Sequence, residues 1–123
     1  MKYILLSYAP ENAWPPEDHL PAMQRSIELC HDLAAKGQYV HAAPLQPIDK
    51  TIHVRVREGQ SFVSDGPFAE TKEYLAGFFL IDVPTLEDAI KIAQSLPGST
   101  RGTTEIRPLI DLSHMNMPKS NFS

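Results

Sequence analysis

The chain has 123 residues, 42% of them hydrophobic and 21% charged, enough for one hydrophobic core but not for two, and too apolar for a disordered chain. The 11 Lys and Arg against 15 Asp and Glu give a formal charge of −4, so no net positive field exists to displace counterions from a nucleic-acid backbone, and no nucleic-acid partner is expected. The apolar runs fall short of the roughly 20 residues a membrane helix needs. Met1-Lys2 leads straight into Tyr3-Ile4-Leu5-Leu6 without a cleavable leader pattern, so a cytoplasmic protein with no membrane contact is expected.

Lys2 to Tyr8 reads as a strand with apolar residues on both faces, Tyr3 and Leu5 against Ile4, Leu6 and Tyr8. A Pro-rich connection holding Trp14 follows. Leu20, Met23, Ile27, Cys30 and Ala34 then recur at helical spacing, after an acidic start at Glu17-Asp18 and before a stop at Gly37. Pro21 is tolerable only within the first turn of that helix. Cys30 is the single cysteine; it forms no internal disulfide, and as a lone thiol in an apolar helical stretch it reads as a small core residue. A second strand covers about Tyr39 to Ala43.

Thr51 to Arg57 alternates, with Ile52, Val54 and Val56 facing a covered side and His53, Arg55 and Arg57 facing water. Glu58-Gly59 supplies a turn and Ser61 to Ser64 the return strand, an inserted hairpin. Asp65-Gly66-Pro67-Phe68 breaks regular structure. Leu75 to Val83 is the strongest strand pattern: Leu75, Phe79, Ile81 and Val83 on one face, Ala76, Phe78 and Leu80 on the other. Thr85 with Asp88 predicts a capping box for a second helix whose stripe is Leu86, Ala89, Ile90, Ala93 and Leu96, ended by Pro97-Gly98. Thr103 to Ile110 is the last strand. The folded domain thus spans 1–110, and 111–123 reads as a C-terminal tail.

This order is the split βαβ pattern of an α+β, ferredoxin-like βαββαβ fold with an inserted β-hairpin. Right-handed crossovers put both helices on one face of the sheet. Two strands that are apolar on both faces would leave the other face as a large apolar patch. A homodimer in which the helix-free faces meet, a dimeric α/β barrel, is the expected assembly.

The segment Asp65-Gly66-Pro67-Phe68-Ala69-Glu70-Thr71-Lys72-Glu73, followed by Leu75-Ala76-Gly77-Phe78-Phe79, resembles the signature of YCII-related proteins of the DGPF type. Met1-Lys2-Tyr3-Ile4-Leu5-Leu6, Leu45-Gln46-Pro47 and Glu105-Ile106-Arg107-Pro108 support the resemblance over nearly everything except the tail. It implies a small bacterial cytoplasmic protein with a dimeric α+β barrel fold, similar to small catabolic enzymes of that group. It also implies a link to alternative sigma factors, beside or fused to which DGPF domains occur. Some YCII-type relatives use a His and Asp pair with the His on the first helix; here that helix offers His19 near its start and His31 near its end, neither at the matching place.

Asp65 either opens the turn through its backbone bonds or is aimed by that turn into a cleft as a general acid or base. Glu70, Lys72 and Glu73 form either a solvated connector or, with Thr71, a rim contact for an anionic or oxygen-rich ligand. Glu105 and Arg107 share one strand face: the two form an ion pair, or Arg107 orients a substrate carboxylate while Glu105 holds its guanidinium. Among the five histidines, His41 and His53 lie on strands, and His41 is a candidate proton-transfer or ligand contact. Trp14 reads as a lid over apolar surface. No compact metal motif and no Gly-rich phosphate loop occurs, so no metal and no cofactor is expected. The residues therefore suggest a homodimeric small-molecule cleft that binds a metabolite or performs cofactor-independent acid/base chemistry, with Asp65 moving a proton and Arg107 steadying the developing anion, contacted by Glu105, Lys72, Thr71 and His41. A non-catalytic interaction or regulatory module linked to sigma-factor transcription is the alternative.

Overall fold

A computed structural model describes residues 1–66 and 72–120. Strand β1 (Lys2–Ala9) leads into α1 (Pro16–Ala35), followed by β2 (Tyr39–Pro44), the hairpin strands β3 (Ile52–Arg57) and β4 (Gln60–Asp65), then β5 (Tyr74–Asp82), α2 (Leu86–Ser95) and β6 (Thr103–Pro108). One sheet has the order β2-β5-β1-β6, and β3 pairs with β4 in a second, two-stranded sheet. All three neighbouring pairs of the larger sheet are antiparallel, which makes β1 parallel to β2 across β5, and β5 parallel to β6 across β1. These are two interleaved split βαβ units, the expected ferredoxin-like α+β topology. No helix among the described residues is long and apolar enough to cross a membrane.

The core explains why the helices sit where they do. Tyr3 and Leu5 of β1, with Ile81 and Val83 at the end of β5, pack in one cluster with Leu29 and Leu33 of α1 and Ala89, Ala93 and Leu96 on α2 and its end. Both helices meet the same strand residues and so share one face. The alanines bring α2 close to the sheet. Its first turn is closed as the sequence predicts: the Asp88 N–H donates to the Thr85 hydroxyl at 3.2 Å, and the Thr85 N–H donates to the Asp88 carboxylate at 3.2 Å, satisfying two otherwise orphaned donors.

Helix α1 turns a different face inward from the one its spacing suggests. Leu29 and Leu33 are buried, whereas Leu20, Met23 and Ile27 are 63%, 47% and 56% exposed. The true inward row is Ala22, Ser26, Leu29 and Leu33, about 100° around the helix from the expected stripe. Small residues at the first two positions admit the sheet, and branched leucines fill the space at the last two. The helix also starts early, at Pro16, so Pro21 falls in its second turn rather than its first. The hydrogen bond it forfeits is to the Glu17 carbonyl, at an exposed end where water reaches.

Two further departures concern strands. Ser7 pairs with Gly77 but Tyr8 with Leu75, a bulge at Ala76 that transfers Leu75 to the face of Phe78 and Leu80. In the hairpin, Glu58 and Gly59 take φ of 51° and 77°, the two positive values of a type I′ turn, which matches the twist of the flanking strands. Ile52, Val54 and Val56, expected on a covered side, are 62%, 63% and 60% exposed: β3 and β4 form a separate two-stranded ribbon, and this face of it is left open in the single chain. Beyond β6 the Leu109 N–H still bonds the Lys2 carbonyl at 2.9 Å, and the exposed tail then turns where the Ser113 N–H meets the Asp111 carboxylate at 2.9 Å.

Candidate functional site

Residues directly opposite in antiparallel strands share a face, so the register places the helix-free face row by row. One row runs His41, Leu80, Ile4, Arg107; the next runs Ala43, Phe78, Leu6, Glu105; the third holds Leu75, Tyr8 and Thr103. Ile4, Leu6, Tyr8, Phe78 and Leu80 are half-buried and make an apolar floor. His41 stands on one edge strand, and Arg107 and Glu105 stand on the other. With three inter-strand spacings between β2 and β6, the two edges are about 14 Å apart. That is wide enough for a small molecule lying across the floor.

The His41 ring lies 6.0 Å from that of Phe78 and tilted by 45°, which sets the imidazole at the margin of the floor. Arg107 and Glu105 are exposed. Ion pairs elsewhere join the N-terminus to Asp82, Arg25 to Glu28, and Arg101 to Asp18. Glu105 and Arg107 are not paired with each other in the single chain; on a strand, side chains two residues apart start roughly 7 Å apart and each reaches water separately. Asp65 closes β4 opposite Ile52, exposed, on the two-stranded sheet rather than the larger one. Lys72 is exposed in the segment leading to β5. Thr71 and Glu70 lie outside the described residues. The structure therefore gathers His41, Glu105 and Arg107 on one face, while Asp65 and Lys72 belong to the hairpin and the segment after it.

Two grooves of the single chain, of about 320 and 230 Å³, lie on the helix side, the first between α2 and β6 against Ile90, Ala93, Thr104 and Ile106 and the second between the helices. Neither is lined by Asp65 or Arg107. Among the described residues, no three His, Cys, Asp or Glu side chains gather as a metal site requires. Burial pushes the Cys30 thiol up, away from the depressed range of an activated nucleophile.

Arg101 is a residue that sequence reasoning passed over. Its guanidinium lies over the Trp14 ring at 4.2 Å, bonds the Asp18 carboxylate at 2.8 Å and the Ala13 carbonyl at 3.1 Å. It pins the Pro-rich connection and the start of α1 to the turn before β6. Trp14 is thus clamped by a cation rather than laid over an apolar surface alone. No local signal marks Arg101, because its partners are more than 80 positions away.

The sequence model of the YCII-related domain matches residues 1–113. An uncharacterized protein, R00369, of Rhizobium meliloti (strain 1021) is 36% identical over 114 residues, spanning 89% of this chain and 92% of the relative. The match takes in both split βαβ units, the inserted hairpin and the Arg107 strand, and on it the chain belongs to the YCII-related family.

Proposed function

We propose that the protein is a homodimer whose helix-free faces meet around a small-molecule cleft, and that the ligand is a small carboxylic acid with an apolar, preferably aromatic, body. The observation that carries this reading is the cross-strand row His41, Leu80, Ile4, Arg107. A guanidinium at one end takes a carboxylate bidentately, two aliphatic side chains take the body, and an imidazole at the other end takes a polar substituent. Glu105, one row away on the same strand, holds the guanidinium once a second copy excludes water. Asp65 supplies the acid or base in a cofactor-independent proton transfer beside the carboxylate, with Lys72 at the rim.

The test is thermal stabilisation by a panel of aromatic and aliphatic carboxylates with their matched amides. An aromatic carboxylate at about 100 times its Kd adds roughly 2.7 kcal/mol, the amide adds nothing, and Arg107→Ala weakens binding about 10- to 100-fold. Asp65→Asn keeps binding and stops solvent deuterium entering beside the carboxylate. Equal stabilisation by acid and amide, or binding unchanged in Arg107→Ala, overturns the reading. A second reading, a non-catalytic interaction or regulatory module acting with sigma-factor-linked transcription, is favoured by the exposed Leu20, Met23 and Ile27 stripe on α1, and failure of every acid to bind would support it.

A further inference from the structure

In the β3–β4 hairpin, Val54 pairs with Val63, Ile52 with Asp65 and Val56 with Ser61. One face of the ribbon therefore carries Ile52, Val54, Val56 and Val63, with Asp65 at its root. These four apolar side chains are 60–65% exposed. A two-stranded ribbon alone is marginal in water, and a strand pair patterned with period two needs a surface to lie on. The larger sheet of the same chain does not cover these side chains, since all four stay 60–65% exposed.

We infer that the hairpin is an arm that packs its Ile52, Val54, Val56 and Val63 face over the Leu75, Tyr8 and Thr103 end of the helix-free sheet face of a second copy of this chain, leaving the His41 to Arg107 row open to the ligand. The inference rests on the two-subunit reading above and adds the element that clasps the subunits together. Length agrees: a strand of six residues reaches about 20 Å, enough to cross the roughly 14 Å between the edge strands of the sheet. Area agrees as well. The four exposed side chains offer on the order of 400 Å², about half of the roughly 800 Å² that each partner contributes to a standard interface. A two-fold contact is reciprocal, so each copy contributes one arm and one cradle, and the pair reaches the full area. A partner of another kind would use the arm without the cradle and reach only half. The arm also carries Asp65 on its packing face, which brings that carboxylate from one copy to the floor of the other.

The test replaces Val54→Lys together with Val63→Glu, an opposite-charge cross-strand pair that keeps the ribbon paired while removing its apolar face; Ser64→Lys, on the other face, is the control. Sedimentation is expected to show a wild-type dimer, an unchanged control, and at least a 100-fold rise in the dimer Kd of the double variant with its circular dichroism preserved. In the wild type, amides of β3 and β4 are expected to be protected from exchange above the dimer Kd and to lose protection on dilution. A double variant that dimerises as tightly as wild type, or arm amides that exchange freely within the dimer, overturns the arm and leaves the facing sheets standing. A wild-type monomer at micromolar concentration overturns both.

Discussion

A side chain added at Gly102 would overlap the carbonyl oxygen of Tyr8 and stand 3.0 Å from the Ala9 Cα. Both atoms belong to the backbone at the end of β1 and cannot rotate aside. Gly102→Ala is therefore expected to cost about 3 kcal/mol or more, at the upper end of overpacking effects. Gly59 makes the contrast: open space surrounds it and only its φ of 77° resists a side chain, so Gly59→Ala is expected to cost about 1 kcal/mol. Urea midpoints of the two variants decide the matter. Similar losses would mean that the approach of Gly102 to β1 is not what holds the start of β6 in place. The same single-residue logic applies to Arg101, whose three contacts join segments that the sequence keeps far apart.

At the scale of elements, α1 is the sharpest test, because two apolar stripes lie about 100° apart on it. Leu33 is 6% exposed and Ile27 56% exposed. Leu33→Ala is expected to cost about 2–5 kcal/mol through lost burial and a residual cavity, and Ile27→Ala within about 0.5 kcal/mol; thermal or chemical unfolding of the two variants reads the difference. Equal losses would show that the outer stripe is covered in solution. This helix also shows where sequence reading stops. The capping box of α2 was legible because Thr85 and Asp88 satisfy each other locally, and the shared face of the two helices was legible because βαβ connections are constrained in hand. The inward face of α1 was not, since the choice between Ile27 and Leu29 depends on which small residues, Ala22 and Ser26, must admit the sheet. The site was legible in part: that Glu105 and Arg107 share a face follows from strand period alone. That Arg107 stands in one row with Ile4, Leu80 and His41 depends on the register of three ladders and on the shift at Tyr39/His41, which no single segment announces.

Over the whole molecule, the apolar side chains divide between a small core and an extensive open surface. Leu5, Ile81, Val83, Ala89 and Leu96 are 2% exposed or less, whereas the hairpin face, the α1 stripe and the tail residues Ile110, Met115 and Met117 are each between 47% and 84% exposed. A lone chain with this distribution buries few large side chains for its length, and its stability would rest on a single cluster beneath two helices. A dimer that covers the helix-free face and the arms adds burial that exists only in the associated state, so unfolding becomes a reaction from one dimer to two unfolded chains. Each tenfold rise in concentration then adds about 1.4 kcal/mol per dimer, and a folded unit of roughly 250 residues converts 1 kcal/mol into about 2–4 °C. The Tm is therefore expected to rise by about 3–6 °C per tenfold increase in protein concentration, measured by scanning calorimetry from micromolar to hundreds of micromolar. Val54→Lys with Val63→Glu is expected to flatten that dependence at the low end, where the weakened dimer has already come apart. A wild-type Tm independent of concentration over the whole range would mean that folding is complete within one chain, and the apolar arm and floor would then have to be stable in water without each other.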